Sequence, residues 1–324
     1  MLQKHITIEE LTNIQIYRNL KINPYKCSQL MKIGKDKVYH YYKLFKEGFT
    51  VLEIYNMYKE NKRKCGRKKC VFSEDKTSKV RELLKGDWSI DAICGRDKLL
   101  EAEEKCSTKT LYRMTQDGFF DIKLLRRKGK RKPNNHKETR GKINDCKTLD
   151  ERDQKYPLLT TYGEFGHFEG DTIIGEKRRS AIVTLVERTT KYIVLLKASR
   201  KSEDVLNTIN NWLLGAYKET IKTITFDRGK EFAKWKEMED TEGLEVFFSD
   251  PGSPGQRGLN ENSNGIVRKD LPKSTNLSKY SQEELNQIAK KWNSIPRKSL
   301  GYLAPEEVVK IAVGVKSLLP TAKY

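Results

Sequence analysis

Long apolar runs are absent from this sequence of 324 residues. No stretch approaches the roughly 18 apolar residues that a membrane-spanning helix needs, and the candidate AIVTLV at 181–186 ends at a charge. The N-terminus, MLQKHITIEE, has acidic residues where a signal peptide would carry an apolar stretch. The six cysteines are scattered without a CxxC pair, which fits a reducing cytosol better than a disulfide framework or a zinc ribbon. We therefore expect a cytoplasmic protein without membrane contact.

Familiar nucleophile and nucleotide motifs are also missing. The four histidines lie far apart and none accompanies a G-x-S-x-G turn, so serine or cysteine nucleophile chemistry has no support. No Walker-type phosphate loop occurs. Hydrophobic residues make up 36% of the chain, and glycine and proline are ordinary in number, which excludes the disordered and collagen-like classes. The length predicts two or three domains.

Positive charge, by contrast, is abundant and unevenly distributed. The chain has 64 Lys and Arg against 44 Asp and Glu, a formal net charge of +20. Residues 1–150 hold 36 basic and 20 acidic residues, a net +16, whereas 151–324 hold 28 and 24, a net +4. A lysine-rich proteome would explain the excess but not the asymmetry. A concentrated positive field is typical of proteins that bind nucleic-acid phosphates.

The basic front opens with a predicted helix-turn-helix unit over 1–50. Thr7 and Glu10 form a capping box for the first helix, Pro24 begins a second, and a turn at Gly34 leads to a third helix capped by Asp36. The predicted inward residues are Leu11, Ile14, Tyr17 and Leu20, then Cys27, Leu30 and Met31, then Val38, Tyr41, Tyr42 and Phe45. The predicted DNA-facing residues are Lys35, Lys37, His40 and Lys43. A plain helical bundle has the same spacing and stays open as the alternative.

A second unit of the same kind is predicted over 86–124, after a basic linker and helix at 51–85. Ser89 caps its first helix, with Ile90, Ile93, Cys94 and Leu99 inward, and Ser107 or Thr108 caps its second. The predicted DNA-facing residues are Lys109, Thr110 and Arg113. Basic runs at 59–69 and 125–137, the latter with Arg126 and Arg127, are either solvated linkers or arms along DNA phosphates. The second run belongs to a linker over 125–160.

From Gly166 onward the sequence changes to strands. HFEGDTIIG, SAIVTLVE and YIVLLKAS predict an antiparallel meander, which a helix over 202–217 follows. A strand at TITFD, a helix around 230–240 and a strand at EVFFSD complete the series. The core is expected to include Trp212, Trp235 and Trp292. This order predicts an α/β ribonuclease H-like core with a mixed five-stranded sheet over 161–310, and a tail at 311–324.

Three carboxylates in this half are candidates for metal chemistry. Asp171 lies in the first strand, Asp227 ends the fourth, and Glu261 follows after 33 intervening residues. In-line attack on a phosphodiester is served by two divalent cations, and Mg²⁺ prefers oxygen ligands. Convergence of the three through the sheet would make a site for two Mg²⁺ or Mn²⁺ ions.

The back half resembles, in four blocks, the DDE insertion-sequence transposases of the IS-thirty family. The blocks are FGHFEGDTIIG, TFDRGKEF, FFSDPGSPGQRGLNENSNGIVRKDLPK and PRKSLGYLAPEEV, and WSIDAICGR and TKTLYR extend the likeness over the front. The resemblance implies that Asp171, Asp227 and Glu261 are the catalytic, metal-binding triad. It further implies an enzyme that nicks element ends at their inverted repeats and joins the freed 3′-hydroxyl to target DNA. Such an enzyme would need no nucleotide cofactor and would work as a dimer or larger assembly on the bacterial nucleoid.

Four positions depart from the wording usual in that family. Phe168 replaces a common Trp, Arg228 follows the second aspartate where Asn is common, and Gly252 and Gly255 stand where aromatics are frequent. We expect Arg228 to pair with Asp227 or to engage the scissile phosphate. The two glycines should loosen the loop before the third carboxylate.

Several neighbours of the triad are candidates for supporting roles. His167 and Glu169 share a strand face with Asp171 and are expected to orient it, with ordinary strand polar residues as the alternative. Asn260 and Asn264 are candidates for the same role. With Asn262 they could instead cap the helix, which is the favoured interpretation, or contact DNA. Further candidates are Glu231 as a helix-dipole partner and Arg257 and Lys269 as phosphate contacts.

Two other functions stay open at this point. A DNA-binding regulator could retain a decayed catalytic core for dimerisation alone. A nuclease directed by RNA is disfavoured, because two helix-turn-helix units favour duplex DNA.

Overall fold

The computed structural model describes residues 5–65, 70–125, 143, 146–176, 180–215, 220–242, 244–251, 253–273 and 275–314. The chain divides into two compact units, Met1–Val71 and Phe72–Tyr324. Within the described ranges, no helix is both long enough and apolar enough to cross a bilayer. The predictions for Arg126, Arg127 and Gly252 lie outside the described residues.

The first unit contains four helices, α1 (Ile8–Asn19), α2 (Pro24–Met31), α3 (Lys35–Lys46) and α4 (Val51–Lys64). Capping boxes at Thr7 and Thr50 begin α1 and α4, and Pro24 occupies the first position of α2, where its missing N–H costs nothing. Their shared core consists of Ile6, Leu11, Ile14, Cys27, Val38, Tyr41, Phe45 and Ile54. The predicted apolar faces of α1 and α3 therefore account for most of this core.

Three predictions for the first unit were wrong. Asp36 does not cap α3, because the helix begins at Lys35 and its N-cap is Gly34. Leu20 is 65% exposed because α1 ends at Asn19 and leaves it beyond the buried stripe. Leu30 is 54% exposed because α2 buries the side that carries Cys27.

The second unit opens with α5 (Glu74–Lys85), α6 (Ile90–Leu99) and α7 (Thr108–Gln116). Ser89 and Ser107 cap α6 and α7 as predicted. Leu99 was predicted inward but is exposed, since it is the last residue of α6. The core of these helices consists of Phe72, Val80, Leu84, Ile90, Ile93, Cys94, Leu111 and Phe120. Of the segment predicted as linker and helix, α4 packs in the first unit and α5 in the second.

Five strands form one sheet in the order β3-β2-β1-β4-β5. They are β1 (His167–Ile174), β2 (Ala181–Glu187), β3 (Ile193–Ala198), β4 (Thr223–Phe226) and β5 (Glu245–Phe248). The β1–β2 and β2–β3 pairs are antiparallel, and the β1–β4 and β4–β5 pairs are parallel. The predicted mixed five-stranded sheet is confirmed.

Helices cover both faces of this sheet. They are α8 (Leu149–Lys155), α9 (Pro157–Tyr162), α10 (Ser202–Gly215), α11 (Trp235–Glu242), α12 (Gly258–Val267), α13 (Gln282–Asn293) and α14 (Pro305–Val313). The helix predicted around 230–240 is a 3₁₀ turn at Lys230–Phe232 followed by α11. Every residue of β2 is buried, as expected for a strand covered on both sides.

The two sheet faces carry separate cores. Val183 and Leu185 of β2 pack with Trp212 and Trp235 on one face. Ile182 of the same strand packs on the other face with α12 and α13, whose Trp292 is fully buried. All three tryptophans lie in the core, as predicted.

A close contact joins α6 to the C-terminal part of the same unit. Gly95 lies so near the ring of Tyr302 that a side-chain carbon at position 95 would be 2.1 Å from it. Arg96 donates to the Tyr302 carbonyl at 3.2 Å and to Glu307 Oε2 at 2.9 Å. This contact therefore needs both the missing side chain of Gly95 and the charge of Arg96.

The turn between α5 and α6 makes a second contact of this kind. Asp87, in the left-handed region at φ 66°, accepts from Lys269 Nζ at 2.6 Å and from Lys291 Nζ at 2.7 Å. Trp88 packs against the core under α12 and α13. The α5–α7 helices are thus held against the sheet-bearing part by ion pairs and by apolar packing.

Candidate active site

The parallel pairing of β1 with β4 places Asp171 and Asp227 level with each other. Glu169 pairs with Thr225, so two residues further along each chain the aspartates lie side by side. Side-chain alternation puts both on the sheet face that α12 covers. Both aspartates are half-buried. The structure thus brings together the first two members of the predicted triad.

The close approach of the two strands depends on Gly170. A side-chain carbon at this position would lie 2.2 Å from the ring of Phe226, the residue before Asp227. Only glycine leaves that space, which is the usual reason for a glycine inside a paired strand.

Helix α12 is fixed across β1 by buried polar contacts. The backbone N–H of Asn260 donates to Glu169 Oε2 at 3.0 Å, and the Asn260 side-chain amide donates to the Glu169 carbonyl at 2.8 Å. Thr184 of β2 donates to Asn260 Oδ1 at 3.2 Å. Arg188 donates to the other oxygen of Glu169 at 2.9 Å, which balances the buried carboxylate. Glu169 therefore holds the start of the helix that carries Glu261.

The contact continues along the helix. Asn264 Nδ2 donates to Asp171 Oδ2 at 2.9 Å, and Arg268 donates to the Ile174 carbonyl at 2.8 Å. Four residues of a helix rise about 6 Å, and two residues of a strand rise about 6.7 Å. Because these lengths are similar, a polar residue on each turn of α12 can contact β1. Burial lowers the pKa of Arg268, against the opposing charge of Asp171. Arg268 was not among the predicted site residues, although its four-residue spacing from Asn264, and that of Asn264 from Asn260, could have indicated it.

The capping interpretation of the asparagines was wrong. The N-cap of α12 is Arg257, and no side chain caps the helix, because Asn260 and Asn264 point at β1 instead. The orienting role of Asn260 and Asn264 at a metal site stays a prediction.

Glu261, the third predicted ligand, is exposed on α12. It stands four residues after Arg257 and three before Asn264, both of which contact Asp171, so it shares their side of the helix. Among the described residues, no three His, Cys, Asp or Glu side chains form a group that could hold a metal. The structure thus joins two carboxylates and leaves the third exposed on α12.

Arg257 bridges the aspartate pair. Its Nη2 lies 3.3 Å from Asp171 Oδ2 and its Nη1 lies 3.3 Å from Asp227 Oδ2. The side chain is 11% exposed, and its Nε is buried without a hydrogen-bond acceptor in the described part of the chain. Arg257 was predicted to contact phosphate, and its bridge between the two aspartates was not predicted.

A fourth carboxylate lies beside the pair. Thr172 donates from Oγ1 to Glu231 Oε1 at 3.2 Å. A side-chain carbon on Gly229 would be 2.6 Å from Glu231 Oε2 and 2.8 Å from Asp227 Oδ1, so the two carboxylates flank that glycine. Glu231 was predicted only as a helix-dipole partner.

Two predicted neighbours have other partners. His167 is buried between Thr223 Oγ1, at 2.8 Å from its Nδ1, and Glu164 Oε2, at 3.2 Å from its Nε2. Burial lowers the pKa of His167 despite the opposing charge of Glu164, which favours a neutral ring. Arg228 lies 3.8 Å from Asp250 Oδ1, which gives the expected pairing with Asp227 no support.

The predicted DNA-contact residues lie mostly on exposed surfaces. Lys35, Lys37, His40 and Lys43 are exposed on α3, and Lys109 and Arg113 are exposed on α7. Thr110 is half-buried and its hydroxyl bonds to Ser107 Oγ at 2.9 Å. Lys269 is held by Asp87. The DNA contacts of these residues stay predictions.

Comparison with known proteins gives this geometry a context. No protein-family model matches the chain. The chain is 31% identical to the transposase for insertion sequence element IS4351 of Bacteroides fragilis, over 98% of this chain and 99% of the relative. It is 35% identical to transposase InsI for element IS30C of Escherichia coli (strain K12), over 73% and 64%. It is 30% identical to putative integrase ORF3 of Spiroplasma virus SpV1-R8A2 B, over 80% and 83%.

These relatives imply an enzyme of the polynucleotidyl transferase type. The chain belongs to the insertion-sequence transposases, and the resemblance of its sequence blocks to the IS-thirty (IS30) family is confirmed.

Proposed function

We propose that this transposase binds the inverted-repeat ends of its element, cleaves a strand there and joins the freed 3′-hydroxyl to target DNA. Family membership supports the transposition role. The observation that supports the chemistry is that Asp171 of β1 and Asp227, the residue after β4, meet at one guanidinium, that of Arg257.

The sheet supports a ribonuclease H-like core. Three antiparallel strands are followed by a helix, a parallel strand, a second helix and another parallel strand, in the order β3-β2-β1-β4-β5. In this arrangement the first and fourth strands are neighbours, which lets carboxylates from distant parts of the chain meet at one edge.

The donor set fits a hard divalent cation. Asp171 and Asp227 already attract a cation, the guanidinium of Arg257. Asn264 adds an uncharged oxygen beside the aspartates. Its Oδ1 is buried and has no hydrogen-bond partner in the described ranges, while its Nδ2 donates to Asp171. Asp171, Asp227 and Glu261 would hold two Mg²⁺ or Mn²⁺ ions, with Asn264 orienting the first aspartate. Bound there, the ions would polarise the phosphate and activate water or the 3′-hydroxyl for attack.

The helical segments are proposed to supply DNA recognition. Lysines and a histidine on α3, and Lys109 and Arg113 on α7, are exposed where a helix-turn-helix unit presents its groove-facing side. Two element ends must meet in one complex during transposition, so the working form is proposed to be a dimer or a larger assembly.

Asp227→Asn tests the chemical part of this proposal. The substrate is a plasmid that carries the coding region with its flanking DNA, incubated with the full chain and Mg²⁺. We expect cleavage and joining to fall by roughly a thousandfold or more, since the variant keeps the shape of the side chain and loses its charge. Binding to the same DNA in a gel-shift assay should change by less than about twofold.

The matched control is Glu203→Gln, which removes one exposed negative charge from α10 of the same unit. It should cleave at the wild-type rate. An active Asp227→Asn variant would remove the aspartate from the mechanism. Tight DNA binding by the wild-type chain without cleavage in Mg²⁺ or Mn²⁺ would instead indicate a DNA-binding regulator.

A further inference from the structure

The bridge made by Arg257 takes up one carboxylate oxygen of each of the two aspartates that are proposed to hold metal. Its two terminal nitrogens lie 3.3 Å from Asp171 Oδ2 and from Asp227 Oδ2. Mg²⁺ lies about 2.1 Å from the carboxylate oxygens that bind it. The guanidinium and such an ion would be two close positive charges in a half-buried site, where Coulomb repulsion is strong. The two occupants therefore exclude each other.

The hold on Arg257 consists of those two ion pairs. Among the described residues, no other hydrogen bond or ion pair of its side chain is found, and its Nε is buried without an acceptor. The residue is the N-cap of α12 and ends a 3₁₀ turn over Pro254–Arg257. A side chain with one unmet donor and two replaceable partners can leave without breaking any helix or strand contact.

The bridge also balances charge between the strands. Asp171 and Asp227 both contact the Arg257 guanidinium, so their carboxylates are neighbours. Neighbouring carboxylates repel each other unless a cation lies between them. One guanidinium offsets one of the two negative charges, whereas a divalent ion offsets both. Metal loading is thus favoured over the bridge once the ion is available at sufficient concentration.

We propose that Arg257 is a positioning residue that holds Asp171 and Asp227 together and yields them to divalent metal. Loading of the metal then releases the guanidinium at the edge of the site, where a DNA phosphate can receive it. This inference rests on the proposed metal-dependent function. It adds that the apparent metal affinity of the chain is set in part by competition with its own arginine.

The size of the competition follows from the population of the bridge. If Arg257 occupies the carboxylates in about nine molecules of ten, the apparent dissociation constant for metal is raised about tenfold. Removal of the guanidinium should remove this factor. A residue that served only to build the site would have the opposite effect, because its loss would weaken metal binding.

The test is a calorimetric titration of the full chain with Mn²⁺ alone. Arg257→Gln keeps a polar side chain and loses the charge, so we expect its Mn²⁺ dissociation constant to be about tenfold lower than that of wild type. Arg257→Lys keeps the charge without the two-armed geometry and should lie between the two. The control is Lys230→Gln, which removes an exposed positive charge three residues after Asp227 and should stay within about twofold of wild type.

The possible outcomes separate this inference from the function beneath it. Unchanged or weaker Mn²⁺ binding by Arg257→Gln, with wild type binding normally, overturns the inference and leaves the metal-dependent function standing. An equal gain in Lys230→Gln also overturns it, since general electrostatics would then account for the effect. Failure of every variant and of wild type to bind Mn²⁺, with normal thermal melts, overturns the proposed function itself. If Arg257→Gln does not fold, Arg257→Lys alone must show the gain.

Discussion

The two helical segments of the basic front have similar sequence patterns and different structural surroundings. Helices α1–α4 close a core of their own and form a compact unit. Helices α5–α7 also share a core, yet α6 packs on Tyr302 and Arg96 pairs with Glu307 near the end of the described chain. A helix-turn-helix pattern describes how helices pack on each other and carries no information about their further partners. Here the second segment belongs to the same unit as the aspartate pair.

The largest effect should come from the core of the first unit. Phe45→Ala removes a buried ring from α3 and should destabilise that unit by about 3–4 kcal/mol. Hydrogen exchange read by mass spectrometry should show faster exchange in peptides from α1–α4. Peptides from β1–β3 should be unchanged, because their core contains none of these residues. Faster exchange throughout the sheet would show that the two segments do not differ as described.

A smaller effect is expected where the second segment meets the C-terminal part. Gly95→Val places a side chain against the ring of Tyr302 and should cost about 2–3 kcal/mol by overpacking. Exchange should then accelerate in α5–α7 and in peptides around Tyr302, with α1–α4 unaffected. The double variant Gly95→Val with Tyr302→Ala makes room for the valine, so it should be more stable than Gly95→Val alone. No recovery in the double variant would disprove the contact as the cause.

The smallest effect concerns the ion pair between Arg96 and Glu307. Burial raises the pKa of Glu307, but the hydrogen bond from Arg96, the backbone N–H of Ala304 and the Arg96 charge together outweigh burial and leave that pKa lowered. A carboxylate whose pKa is lower in the folded state stabilises the fold fully at pH values above its pKa in the unfolded chain. This stabilisation is lost as the pH falls through its pKa in the folded state. Because Glu307 is 35% exposed, Glu307→Gln should cost only about 1 kcal/mol at pH 7.

Thermal melts of wild type and Glu307→Gln should therefore differ at pH 7 and converge as the pH falls below the lowered pKa of Glu307. The control Glu283→Gln changes an exposed carboxylate in the first turn of α13 and should give a smaller difference. A difference that persists unchanged at low pH would assign the effect to packing.

The sequence predicted those features that follow from local pattern. The sheet was predictable because its strands are apolar and alternate with turns, and Asp171 and Asp227 were found because each sits in or directly after a strand. The exposed positions of Leu20, Leu30 and Leu99 were missed because helix ends and orientation depend on neighbouring helices. The Arg257 bridge and the Gly95 contact join residues far apart in the chain, so no local spacing could indicate them.

The close approach of β1 to β4 at Gly170 also bears on how this protein can lose its activity. A change of Gly170 to any other residue would push Phe226 away and displace Asp227, with every carboxylate still present in the sequence. Whether a chain of this kind can assemble its site therefore depends also on a residue that has no side chain.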